Sequence, residues 1–198
     1  MLTLSTTLKN KYSKLGAVLA IFAVLQGCAA VAVVAVTTGA SVATDRRTIG
    51  KQIDDQSIEV EAYNEIVKNK SLNENTNLHI VSVNGSVLIT GQAPNTYLRD
   101  QAINIVNNIS EVVRIHNQVR IGNLTSITTQ TNDVWLTSKV KSALFASDKV
   151  NGNKIKVVTE NAEVFLMGLV TKEEADHAID ITRNISGVNR VYKAFEYL

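Results

Sequence analysis

Part of the sequence is written twice. Residues 100–119 align with residues 176–195 at an offset of 76, and nine of the twenty positions are identical, among them Asp100/Asp176, Ala102/Ala178, Asn108/Asn184, Ser110/Ser186 and Arg114/Arg190. Chance would supply about one or two such identities, so the match marks a duplication. Upstream the offset is 77, with Leu78, Ile80, Asn84, Val87, Ile89 and Gly91 falling on Ile155, Val157, Asn161, Val164, Leu166 and Gly168. A period this long belongs to a whole small domain and not to a solenoid, and 198 residues leave room for two.

Each copy has a legible order of elements. In the first, Ile58 to Lys70 has helical spacing through Ala62, Ile66 and Val67. Leu78 to Val83 and Ser86 to Thr90 are β-rich runs around Asn84-Gly85, a two-residue hairpin signal because both residues tolerate positive φ. Gly91 and Pro94 are expected to end that strand, and Asn95 to cap a helix running to about Asn108. Alternation at Val113, Ile115, Val119 and Ile121 predicts the last strand.

The second copy repeats this order with a helix over Trp135 to Ala146, strands at Ile155 to Thr159 and Glu163 to Met167, and Gly168 as the stop. Thr171 with Glu174 reads as a capping box, and the final strand runs from about Asn189 to Tyr197. Asn161-Ala162 stands where the first copy has Asn-Gly, and alanine disfavours positive φ, so this turn is expected to be longer or strained. The fold class is α+β: two tandem αββαβ domains over residues 54–123 and 132–198, joined by a linker over 124–131. Each is expected to hold a three-stranded mixed sheet with two helices on one face.

Ahead of the repeats, Lys9, Lys11 and Lys14 precede an apolar run from Leu15 to Leu25, which ends at Leu25-Gln26-Gly27-Cys28. This is secretory-signal architecture, and it is similar to the bacterial lipoprotein signal, in which the cysteine becomes the acylated first residue. Residues 1–27 are then the signal peptide, Cys28 the lipidation site, and residues 28–45 an apolar tether reaching about 20–25 Å. The competing reading is an uncleaved transmembrane helix, since from Leu15 to Val36 only Gln26 is polar and about 20 apolar residues span a bilayer. With Ala29 after the cysteine, sorting to the periplasmic face of the outer membrane is the expectation. Removing the three leader lysines leaves 17 Lys and Arg against 18 Asp and Glu, so no basic footprint for nucleic acid remains. One cysteine and three scattered histidines (His79, His116, His177) suggest neither a disulfide framework nor a zinc site, and no cofactor is expected.

No nucleophile, base and orienter converge in the sequence, so a catalytic role is not expected. The helix at Trp135 has more to say. At about 100° per residue, Leu136, Val140, Ala143 and Leu144 gather on one side. Trp135, Phe145, Ser138 and Ser142 lie on the other, flanked by Lys139 and Lys141. Exposed rings between lysines are how an interfacial helix meets anionic phospholipid. The alternative is that Trp135 packs against the other domain or the linker. In the first copy the corresponding helix carries Glu59, Glu61 and Glu65 beside Tyr63, which would repel anionic lipid.

The strand ends Val87-Leu88-Ile89-Thr90-Gly91 and Val164-Phe165-Leu166-Met167-Gly168, with Asn-Ile-Ser-x-Val before each last strand, resemble the BON domain of bacterial envelope proteins. Asn132-Asp133-x-Trp135 and the run from Thr159 to Thr171 strengthen that resemblance. It implies a non-enzymatic outer-membrane lipoprotein, monomeric, that binds anionic phospholipid through its second BON domain and supports envelope integrity, including at division sites. A protein adaptor docking an outer-membrane assembly or envelope-stress partner is the alternative, with Trp135 as its anchor.

Overall fold

The computed structural model describes residues 48–198. The signal segment, Cys28 and the tether lie outside the described residues. Among the described residues no helix is long and apolar enough to cross a membrane.

The first domain opens with α1 (Ile49–Lys68) and a short α2 (Lys70–Asn75), then β1 (Asn77–Val83), β2 (Ser86–Ala93), α3 (Thr96–Asn107) and β3 (Arg114–Ile121). Its sheet has the order β1-β2-β3. β1 and β2 are antiparallel, with Val83 opposite Ser86 across the Asn84-Gly85 turn, and β3 returns through α3 to lie parallel to β2. The second domain repeats the pattern with α4 (Ile127–Phe145), a 3₁₀ turn (Gly152–Lys154), β4 (Lys156–Glu160), β5 (Glu163–Val170), α5 (Lys172–Arg183) and β6 (Arg190–Tyr197). Its sheet order is β4-β5-β6.

Each domain has its own core between sheet and helices. Ile58, Ala62 and Ile66 of α1 and Ala102 and Val106 of α3 meet Val87 and Ile89 of β2. Val140 and Leu144 of α4 and Ala175 and Ala178 of α5 meet Val164 and Leu166 of β5. The expected caps form: Asn95 accepts from the Leu98 amide, and Thr171 and Glu174 make the reciprocal capping box.

Several elements run further than the sequence suggests. α1 starts at Ile49 behind a Thr48 cap instead of at Ile58, and α2, which the apolar pattern does not reveal, plugs the end of the core with fully buried Leu72. α4 starts at Ile127, where Ser126 accepts from the Thr129 amide, so most of the expected linker is helical. Val67, Val113 and Ile121, read as core-facing, are 39%, 75% and 45% exposed. Gly91 and Gly168 do not end their strands, because β2 and β5 continue through them at positive φ. A Cβ at Gly91 would collide with the Asn77 carbonyl and one at Gly168 with the Lys154 carbonyl, so glycine is what lets the neighbouring chain come close.

A sheet covered by helices on one face leaves the other to solvent, yet every residue of β2 is buried. The reason is a third apolar cluster between the domains. Val83 and Leu88 of the first sheet pack against Phe165, Met167 and Ala194 of the second. Phe165 stacks on Tyr192 with ring centroids 4.8 Å apart. Polar links border this seam: Gln92 Nε2 donates to Glu160 at 2.5 Å, Asn84 Nδ2 to Glu196 at 2.6 Å, and Arg120 pairs with Glu163 at 2.6 Å. His116 lies at the same seam, its Nε2 3.2 Å from Ser86 Oγ. Burial and neighbouring Arg114 push its pKa below the usual 6.5, against a weaker opposing pull from Glu196.

Candidate membrane-contact face

Helical spacing builds the outer face of α4. Leu136, Val140 and Leu144 are buried against the sheet, which turns the opposite arc to solvent. That arc brings together all six residues singled out from the sequence. Trp135 is 58% and Phe145 55% exposed. Ser138, Lys141 and Ser142 are exposed as well. Lys139 is half-buried, with its ammonium 4.2 Å from the Trp135 ring centroid and donating to the Ser186 carbonyl at 2.6 Å. A cation over the ring face holds the indole in place and leaves positive charge at the rim of the aromatic. Ser138 Oγ donates back to the Val134 carbonyl at 3.0 Å, so that hydroxyl serves the helix. Val134 and Ile127, 69% and 82% exposed, lengthen the apolar surface toward the helix start.

Beyond Phe145 the chain turns through Gly152–Lys154 and sets more lysines beside the ring. Lys141, Lys154 and Lys156 rim a recess of about 310 Å³ that Phe145, Ile155 and Val83 help to line. Lys156 is held by Glu59 at 3.0 Å, whereas Lys141 and Lys154 make no ion pair among the described residues. The sequence reading stopped at the end of the helix and missed Lys154. No periodic signal could have found it, because a loop brings it there.

One pair of buried acids was also missed as a structural device. Asp133 of α4, 6% exposed, accepts from the Asn161 and Ala162 amides, both at 2.8 Å. Asp55 of α1 does the same in the first domain, taking the Asn84 amide at 2.7 Å, the Gly85 amide at 2.8 Å and the Ser82 hydroxyl at 2.7 Å. In both domains the carboxylate clamps the first long helix, at its seventh residue, to the hairpin turn. The only signal in the sequence is that an aspartate recurs in the first helix of each copy.

The chain belongs to the BON-domain family: the family profile, BON domain, matches residues 54–123 and again residues 132–198. It is 39% identical over 174 residues to the outer membrane lipoprotein DolP of Haemophilus influenzae, covering 88% of this chain and 90% of that protein. It is 36% identical over 154 residues to the 21 kDa hemolysin of Actinobacillus pleuropneumoniae, covering 78% of this chain and 79% of that one. To the osmotically-inducible protein Y of Escherichia coli it is 26% identical over 163 residues, 78% of each chain.

Proposed function

We propose that this protein is an outer-membrane lipoprotein, anchored through acylated Cys28, whose second BON domain rests on anionic phospholipid through the outer face of α4. Residues 1–27 are the signal peptide and residues 28–45 the tether in this reading. The observation that carries it is the exposed Trp135 and Phe145 on one helix face, with Lys139 and Lys141 beside them and Lys154 at the adjoining recess. Rings of this kind settle at headgroup depth, and each lysine near an anionic surface adds about 1 kcal/mol. Such binding is weak alone, but a tethered domain meets headgroups at high effective concentration. The likeness to a DolP lipoprotein supports the anchor and the outer-membrane site. A non-enzymatic role in envelope integrity, with enrichment at division sites, belongs to the same proposal.

The test removes the anchor so that only the face is read. Residues 29–198 behind a Cys28→Ser substitution should co-sediment with vesicles containing phosphatidylglycerol and not with pure phosphatidylcholine. Trp135→Glu and Lys141→Glu should each weaken binding about tenfold or more, and salt should weaken it further. Equal binding to both vesicle types would refute the lipid reading. An adaptor role for the Trp135 face would show instead as a protein complex that survives in lipid-free buffer.

A further inference from the structure

The first domain has a groove that neither lipid contact nor the domain seam uses. It measures about 540 Å³ and lies between α1, α2 and the free edge of β1, lined by Val60, Tyr63, Val67 and Leu72 on the helical side and by Leu78 and Ile80 on the strand. Val60 and Tyr63 are 53% and 67% exposed, an apolar stripe at helical spacing with Val67 that faces no core.

The strand edge defines what fits there. Among the described residues β1 pairs only with β2, which leaves its other side open to them. The Ser82 amide points outward, because it donates to Glu59 Oε1 on α1 at 2.8 Å. By the two-residue period of a strand, the amides and carbonyls of Ile80 and Leu78 point the same way, into the groove. Among the described residues neither has a hydrogen-bond partner across that edge. Glu59 closes the edge at Ser82, and the stretch before it stays unpaired. Unpaired strand groups beside an apolar helix face are the arrangement into which an extended peptide adds as an extra strand. The surrounding helices also set the sign of charge: beside Asp55, buried at the hairpin turn, and Glu59, held by Lys156, α1 and α2 carry four acids against three lysines.

We propose that the groove between α1 and the outer edge of β1 binds an extended, positively charged peptide segment, apolar at alternate positions, as a fourth strand of the first sheet. Backbone groups at Leu78 and Ile80 supply the pairing, Tyr63 and Val67 take the apolar side chains, and the acidic helices favour basic neighbours. This surface is separate from α4, so it stands or falls independently of the lipid proposal.

The probe is the fluorescein-labelled peptide acetyl-Lys-Val-Lys-Val-Lys-Val-amide, followed by anisotropy with the full chain in neutral detergent micelles. It should bind at least tenfold more tightly than the Glu-Val counterpart. N-methylation of either its valines or its lysines should abolish binding, while N-methylation of the other set leaves it intact, because only one set of amides faces β1. Tyr63→Glu and Val67→Glu, at exposed positions, should weaken binding at least tenfold with an unchanged melting temperature and unchanged sedimentation with anionic vesicles. No binding, no charge preference, tolerance of both N-methyl series, or indifference to both substitutions would overturn the proposal.

Discussion

Ala162 sits at φ 59° beside Asn161 at φ 51°, a pair of left-handed residues in a two-residue turn where the first domain has Asn84-Gly85. An L-residue in that region costs about 1–2 kcal/mol, and glycine would recover part of this at the cost of a more flexible unfolded chain. Ala162→Gly should therefore raise stability by about 0.5–1 kcal/mol, a melting-temperature increase of about 2–3 °C by calorimetry. From the sequence this turn reads as longer or strained; it is short and strained. What holds it is a carboxylate 29 residues upstream, which local propensity cannot reveal. His116 acts at the same scale. Its folded pKa lies below 6.5, so folding favours the neutral ring. Its contribution is fully present above about pH 6.5 and is lost as pH falls through the folded value. Melting temperature should drop on going from pH 7 to pH 5, and His116→Gln should flatten that drop; an unchanged pH profile in the variant would contradict this assignment.

Among the elements, helix α4 does two jobs with its two ends of arc. One side supplies Leu136, Val140 and Leu144 to the core and Asp133 to the hairpin turn, and the other presents Trp135 and Phe145 to solvent. Asp133→Ala would leave two turn amides without their charged acceptor, a loss of about 2–3 kcal/mol measurable by urea unfolding. A loss below about 0.5 kcal/mol would mean that the clamp is incidental. The buried and exposed sides of α4 were legible because a 3.6-residue period needs only the sequence. Its true start was not, since Ile127 is exposed, residues 128–131 are all polar, and the turn is held by the Ser126 cap and not by burial. Gly91 and Gly168 misled for a related reason. A glycine in a strand pattern reads as a break, and only the close approach of Asn77 and Lys154 shows that it continues the strand.

For the molecule as a whole, the duplication told of two domains but not of their union. Leu88, Phe165 and Met167 alternate with core residues and read as the solvent face of a sheet, too apolar for water yet with no local sign of what covers them. Each is covered by the other copy. The two domains should unfold as one cooperative transition in calorimetry. Phe165→Ala, which removes a 3% exposed ring stacked on Tyr192, should cost about 3–5 kcal/mol and separate the transition into two. Two independent transitions in the unaltered protein would contradict a shared seam. This seam also leaves Trp135 and Phe145 more than half exposed, which a membrane-contact role requires.

The most direct test of that role uses a property of the composition: Trp135 is the only tryptophan in the chain, so intrinsic fluorescence reports the α4 face alone. Residues 29–198 behind Cys28→Ser should show a blue-shifted, enhanced emission on addition of phosphatidylglycerol vesicles, with quenching by bromine placed high on the lipid chains. Phosphatidylcholine vesicles should produce little change. An emission spectrum that stays water-like while the protein sediments with anionic vesicles would place the contact elsewhere and contradict the account.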